Sequence, residues 1–187
     1  YDYASPASYL AWAYFKKINM YKKCDLKNIP VLLGGIFKAT GNNPPGAVKA
    51  KGQYMGKDLK RYAKKYDVDY NFNDNFPINT LSIMRGAIAA ESLGLLFDYD
   101  DCIFNAMWVN NKNLSEIEVL KKELEKSNLN ALELFELVQS DNVKQKLKSN
   151  TNEAIERGSF GVPTFYVEDE MYFGQDRIDW LMSHLNK

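Results

Sequence analysis

Asp2-Tyr3-Ala4-Ser5-Pro6-Ala7-Ser8 is the stretch on which the reading of this chain turns. Two serines three residues apart flank a proline, at what reads as the junction of a strand and a helix. Ser5 suits an N-cap and Pro6 the first helical position, because the cap oxygen takes an orphan amide and proline has no amide to leave unpaired. Behind them Leu10, Ala13, Tyr14 and Ile18 recur at helical spacing and mark the buried face of a first helix. Cysteines at the positions of Ser5 and Ser8 would form a redox pair; serine forms no disulfide. A helix start nevertheless offers unpaired N–H groups and a positive dipole end to an anion, and a hydroxyl beside it can donate to a thiolate. Capping alone would also account for Ser-Pro, so both roles stay open at this point.

Working outward, KNIPVLL (27–33) reads as a strand ended by Gly34 and Gly35, and TGNNPP (40–45) as a loop. Helical patterns follow. VKAKGQYMGKDLKRYAKKY (48–66) carries mixed charge, and Leu81, Met84 and Ile88 begin an inward stripe. Ser115 and Glu118 have the spacing of a capping box ahead of Ile117, Leu120 and Leu124. NALELFELV (130–138) and residues 142–157 continue the pattern. Past Gly158 the period changes: TFYV (164–167) and MYF (171–173) read as a hairpin around Glu168-Asp169-Glu170, and DRIDWLMSHL (176–185) as a closing helix. Strands at both ends and helices between imply an α-helical insertion packed on a sheet-containing unit.

Composition narrows the function. Lysine plus arginine match aspartate plus glutamate at 24 each, with no basic block, which argues against a nucleic-acid partner. The most apolar run, IPVLLGGIF (29–37), is well short of the roughly 18 residues of a membrane span, so no membrane partner is expected. Cys24 and Cys102 form no CxxC pair and read as free thiols of a reducing, cytoplasmic compartment. His184 is the only histidine, which leaves a catalytic triad or a zinc cluster without ligands. The first residue is not methionine, so an upstream segment, a targeting peptide included, stays open.

Strand, turn and helix with X-Pro at the helix start, and a distant Val-Pro before a hairpin, resemble the layout of thioredoxin-like folds, and the helical insertion resembles the DsbA-type branch. DYASPASYLA, LLGGIFKATGNNPP, KGQYM, GVPTF and FGQDR together resemble the 2-hydroxychromene-2-carboxylate isomerases and the kappa-class glutathione transferases. The resemblance implies an α/β, DsbA-like thioredoxin fold: a thioredoxin-like domain from residues 1–34 and 151–187, and an inserted α-helical domain at 35–150. It implies glutathione as cofactor, a small aromatic substrate and a homodimer. The expected reaction interconverts 2-hydroxychromene-2-carboxylate and trans-o-hydroxybenzylidenepyruvate. A kappa-like transferase or peroxidase and a non-catalytic thioredoxin-fold binding module are the alternatives, while the missing CxxC argues against a disulfide oxidoreductase.

By the same resemblance Ser5 is the catalytic residue, holding the sulfur of glutathione. Val162 pairs its backbone with the cysteinyl part, ahead of a cis Pro163. Gln175 and Asp176 hold the γ-glutamyl end, and Asn42 and Lys51 lie near the ligand. Each has a plainer reading: a core residue for Val162, an N-cap for Asp176, a turn for Asn42, a helix surface for Lys51. Tyr3, Tyr9 and Trp108 are candidates to touch an aromatic substrate, or simply core. Thiols at helix starts titrate at ~3.5–7.5 instead of ~8.5. A depression of about two units favours the thiolate by roughly 2.7 kcal/mol.

Overall fold

Apolar residues three and four apart make most of this chain helical, and the computed structural model describes residues 1–185. The elements in order are α1 (Pro6–Lys17), α2 (Leu33–Thr40), α3 (Lys49–Tyr66), α4 (Leu81–Ser92), α5 (Leu96–Trp108), α6 (Ile117–Lys126), α7 (Ala131–Val138) and α8 (Asp141–Glu156). The hairpin of β1 (Thr164–Val167) and β2 (Glu170–Phe173) and the helix α9 (Ile178–Leu185) complete the order. The hairpin is antiparallel, with Thr164 opposite Phe173 and Val167 opposite Glu170.

The main core joins α1, α4 and α5 through Leu10, Phe15, Ile83, Met84, Ile103, Phe104 and Trp108, with Ile178 and Leu181 of α9 packed in. Burying such side chains stabilises the fold by about 1.5–3 kcal/mol each. Val31, Ile36 and Val162 form a second, smaller cluster where α2 meets α8 and the approach to the hairpin. There Gly35 permits close packing, since a Cβ on it would stand 3.1 Å from the Thr151 methyl.

Three expectations are corrected, the first being the strand before Ser5, where residues 1–5 form a turn and no strand. Residues 27–33 form no strand. Tyr1 exchanges one pair of backbone bonds with this segment, its nitrogen to Ile29 O at 3.0 Å and Val31 N–H to its carbonyl at 2.9 Å. Pro30 between them has no N–H, and Leu33, Gly34 and Gly35 already belong to α2, because a carboxylate oxygen of Asp2 takes the Leu33 amide at 2.9 Å. The capping box at Ser115 and Glu118 does not form either: the Ser115 hydroxyl turns to Asn113 Oδ1 at 2.6 Å, and Glu116 occupies the N-cap of α6 without a side-chain capping bond, its Oε1 accepting from Asn113 Nδ2. Side-chain caps are made by Ser5, Asn130 and Ser140. The joins expected between residues 34 and 35 and between 150 and 151 fall inside α2 and α8.

Candidate active site

Ser5 joins the two ends of the chain. Its backbone is extended, φ −101° and ψ 110°, so its side chain folds over the first turn of α1, and Oγ accepts the Ser8 N–H at 3.1 Å. The same hydroxyl donates to Val162 O at 3.1 Å, across 157 residues of sequence. Ser5 and Val162 are both buried. The Val162–Pro163 bond is cis, the geometry that the resemblance implied. Val162 N–H makes no hydrogen bond among the described residues. The Ser8 hydroxyl is also buried and without a partner among them. It borders a cavity of about 630 Å³ walled by Trp12, Phe15, Pro163 and Phe165.

Two further segments are tied to this junction. Asn42 Nδ2 donates to Phe160 O at 2.7 Å, two residues before Val162. Gly174 N–H donates to Pro163 O at 2.9 Å and brings Gln175 and Asp176 alongside the cis turn. Gly174 has φ +97°, and a Cβ there would lie 2.5 Å from Asp176 Oδ1, so only glycine suits this bend. Gln175 is buried, and its carbonyl accepts the Tyr66 hydroxyl. Tyr66 stacks on Tyr14 of α1 with ring centres 4.1 Å apart, which links the Gln175 turn to the helix that carries Ser5. Asp176 Oδ2 pairs with Arg177 Nη1 at 2.7 Å and its other oxygen faces Gly174. The turn at residues 175–177 has Gly174 at its N-cap, so Asp176 lies inside it.

Lys51 is not drawn in. It is exposed in the first turn of α3 and makes no ion pair or hydrogen bond among the described residues. Tyr3, Tyr9 and Trp108 are core: they are buried, the hydroxyl of Tyr3 goes to Asp100, that of Tyr9 to Asp69 O, and Trp108 Nε1 to Tyr3 O. Two accessible rings lie beside the cis turn, Phe160 and Phe173, 39% and 38% exposed, with ring centres 4.5 Å apart and planes tilted by 52°. Their pairing depends on the hairpin register, so local spacing could not have pointed to it.

Tyr3, two residues before Ser5, reaches a buried carboxylate. Asp100 Oδ1 accepts the hydroxyls of Tyr1 and Tyr3 at 2.5 and 2.6 Å, and Oδ2 accepts Asn28 Nδ2 at 3.0 Å. Burial raises the Asp100 carboxyl to about 6, opposed by these three donors. Both cysteines are free, and burial pushes the Cys102 thiol up. Among the described residues no group of three or more His, Cys, Asp or Glu could hold a metal ion. No described helix is long and apolar enough to cross a membrane.

A family model described as a DSBA-like thioredoxin domain matches residues 1–186. The chain belongs to that family. The chain is 30% identical over 199 residues to the glutathione S-transferase kappa 1 of Homo sapiens, across 99% of this chain and 88% of the relative. To the 2-hydroxychromene-2-carboxylate isomerase of Pseudomonas putida it is 28% identical over 196 residues, across 100% and 92%. A solved 2-hydroxychromene-2-carboxylate isomerase superposes with a TM-score of 0.89 at 26% identity, covering 100% of this chain and 92% of that one.

Proposed function

We propose that this protein is a glutathione-dependent isomerase of the 2-hydroxychromene-2-carboxylate isomerase type, acting on a small aromatic substrate. The observation that carries the reading is the Ser5 hydroxyl at the start of α1, bonded to the carbonyl that precedes cis Pro163. The chain supplies no sulfur there. Bound glutathione would supply the nucleophilic thiolate for isomerising the conjugated double bond of the ring-opened substrate.

The residues fit that group. Among the described residues Val162 presents an N–H without a partner and a carbonyl that accepts only from Ser5, the two backbone groups that an extended peptide needs. The Ser5 hydroxyl has one proton, and its bond to Val162 O, at 3.1 Å, is longer than the ~2.7–2.8 Å usual for O–H···O. A bond to an anion is roughly twice as strong as a neutral one. Ser5 therefore turns from Val162 to the sulfur, which frees the Val162 carbonyl to accept an amide of the cysteinyl part. The positive end of α1 adds to the same preference for negative charge. Asp176 takes the γ-glutamyl ammonium through the oxygen that Arg177 does not hold, Gln175 and Asn42 steady the peptide, and Lys51 lies at the rim. Phe160 and Phe173 offer their rings to the substrate. The same reading makes the protein a cytoplasmic homodimer, which sedimentation checks for the dimer.

A kappa-type transferase is the second reading, supported by the human relative. Chromene isomerisation assayed beside conjugation of chlorodinitrobenzene separates the two. A crystal soaked with glutathione tests both: sulfur density within hydrogen-bond reach of Ser5 Oγ is expected, and sulfur bound far from the start of α1 would overturn the reading.

A further inference from the structure

Ser5 is held in place by a residue to which the proposed chemistry gives no part. Asp2 is 1% exposed, and both of its carboxylate oxygens are occupied. Oδ1 accepts the Ala4 N–H at 2.9 Å and the Thr80 hydroxyl at 2.8 Å, while Oδ2 accepts the Leu33 N–H at 2.9 Å. The Asp2 carbonyl takes the Ser5 N–H at 3.0 Å.

These donors stand at three helix starts. Ala4 lies just before the Ser5 cap of α1, Leu33 opens α2, and Thr80 is the N-cap of α4. Neither α2 nor α4 has a side-chain cap of its own: Leu32 has no polar group, and Thr80 directs its hydroxyl to Asp2. Helix starts carry orphan donors and partial positive charge, and Asp2 takes one such donor, Leu33 N–H, at α2, while at α4 it holds the Thr80 hydroxyl and Asn79 Oδ1 takes the Leu81 N–H at 3.0 Å. Ala4 N–H on Oδ1 closes an Asx-turn and Ser5 N–H on the backbone carbonyl closes the next, which fixes the direction in which Ser5 leaves the chain.

We propose that Asp2 is the positioning residue for Ser5, setting the cap geometry that aims the Ser5 hydroxyl at the ligand sulfur by clamping the starts of α1, α2 and α4 together. The proposal rests on the reading of Ser5 as the donor to a bound thiolate. Asparagine at position 2 fits the space but replaces one acceptor with an N–H₂ group facing a donor. Its effect on a bound thiol separates aim from charge, because loss of a nearby negative charge alone lowers a thiol pKa, whereas a displaced Ser5 raises it.

The experiment compares wild type, Asp2→Asn, Thr80→Val and Thr80→Ser by two readouts. One is amide hydrogen exchange at Ser8, whose N–H bonds Ser5 Oγ; the other is the ultraviolet titration of the thiolate of bound glutathione. In Asp2→Asn, Ser8 protection is expected to fall at least tenfold while Ile103 and Phe104 in α5 keep theirs, and the bound thiol pKa is expected to rise. Thr80→Val should move both the same way by less, and Thr80→Ser should restore them. Unchanged Ser8 protection, or a thiol pKa that stays or falls, overturns the proposal. If Asp2→Asn does not fold, the Thr80 pair decides: a shift with valine and recovery with serine supports the clamp, and two wild-type profiles overturn it. If wild type takes up no glutathione, the proposed function fails, and the Ser8 exchange still tests the clamp.

Discussion

Ser5 and Val162 meet with their polar groups buried and bonded to each other, whereas Asn42 and Lys51 stand in solvent and Asp176 is paired with its neighbour Arg177. The first region is held by long-range contacts: Ser5 to Val162, Tyr3 to Asp100, Asp2 to Leu33 and Thr80. The second is held by exposed side-chain bonds, Asn42 to Phe160 O and Asp176 to Arg177, and Lys51 by none among the described residues. Fixed geometry suits the end where charge develops on sulfur, since donors aimed in advance need no reorganisation. Exposed groups recognise a ligand with less energy each, because water screens them. Substitutions at the buried end should therefore change stability or thiol chemistry, and those at the exposed end should change only binding.

The largest expected effect belongs to Asp100. Its folded carboxyl titrates near 6, above the ordinary carboxylate range, because burial is its main perturbation. Between about pH 4 and 6 the folded state holds a proton that the unfolded state has lost, so stability falls as pH rises through that window. A shift of about two units corresponds to roughly 3 kcal/mol. Urea unfolding at pH 4 and pH 6 should show this slope in wild type and a smaller one in Asp100→Asn, where the Asp2 carboxyl, also raised by burial, still contributes; an equal slope in both would detach the buried region from Asp100.

Gly174→Ala joins the two regions and should follow in size. A left-handed φ of +97° and a Cβ 2.5 Å from Asp176 Oδ1 predict a loss of about 1–3 kcal/mol in thermal unfolding, together with weaker glutathione uptake. Asp176→Asn should leave the melting temperature unchanged and weaken glutathione about tenfold in calorimetry, about 1.4 kcal/mol. Lys51→Ala should weaken it least, less than threefold, roughly 0.6 kcal/mol. A larger effect at Lys51 than at Asp176 would reverse the order assigned to the exposed side.

Periodic segments were legible in the chain because a helix face or a hairpin is a local pattern. α3 follows residues 48–66 closely, α7 and α8 start at or beside the expected positions, and TFYV pairs with MYF. Ser5 was legible as a cap for the same reason. Residues 27–33 misled, since an apolar, β-branched run reads as a strand although Pro30 and the Asp2 carboxylate end its pairing and begin α2. Ser115 misled because Asn113 competes for its hydroxyl.

The site itself needed more than local pattern. No spacing rule brings Ser5 to Val162 or Gly174 to Pro163, and these positions came from the family resemblance, whose cis Pro163 agrees with the structure. Tyr3, Tyr9 and Trp108 show the limit of reading aromatics by position, since all three are buried while Phe160 and Phe173, beside the cis turn, are exposed. Asp2 carried no signal at all: its partners lie 2, 31 and 78 residues away.

The most direct test of the account is the titration of glutathione thiolate absorbance on wild type and on Ser5→Ala, each saturated with ligand. In wild type the bound thiol should ionise well below the ~8.5 of an unperturbed cysteine. In Ser5→Ala, glutathione should still bind and its thiol should ionise at higher pH. Superimposed curves would contradict the central claim that this hydroxyl, at the start of α1, stabilises the sulfur.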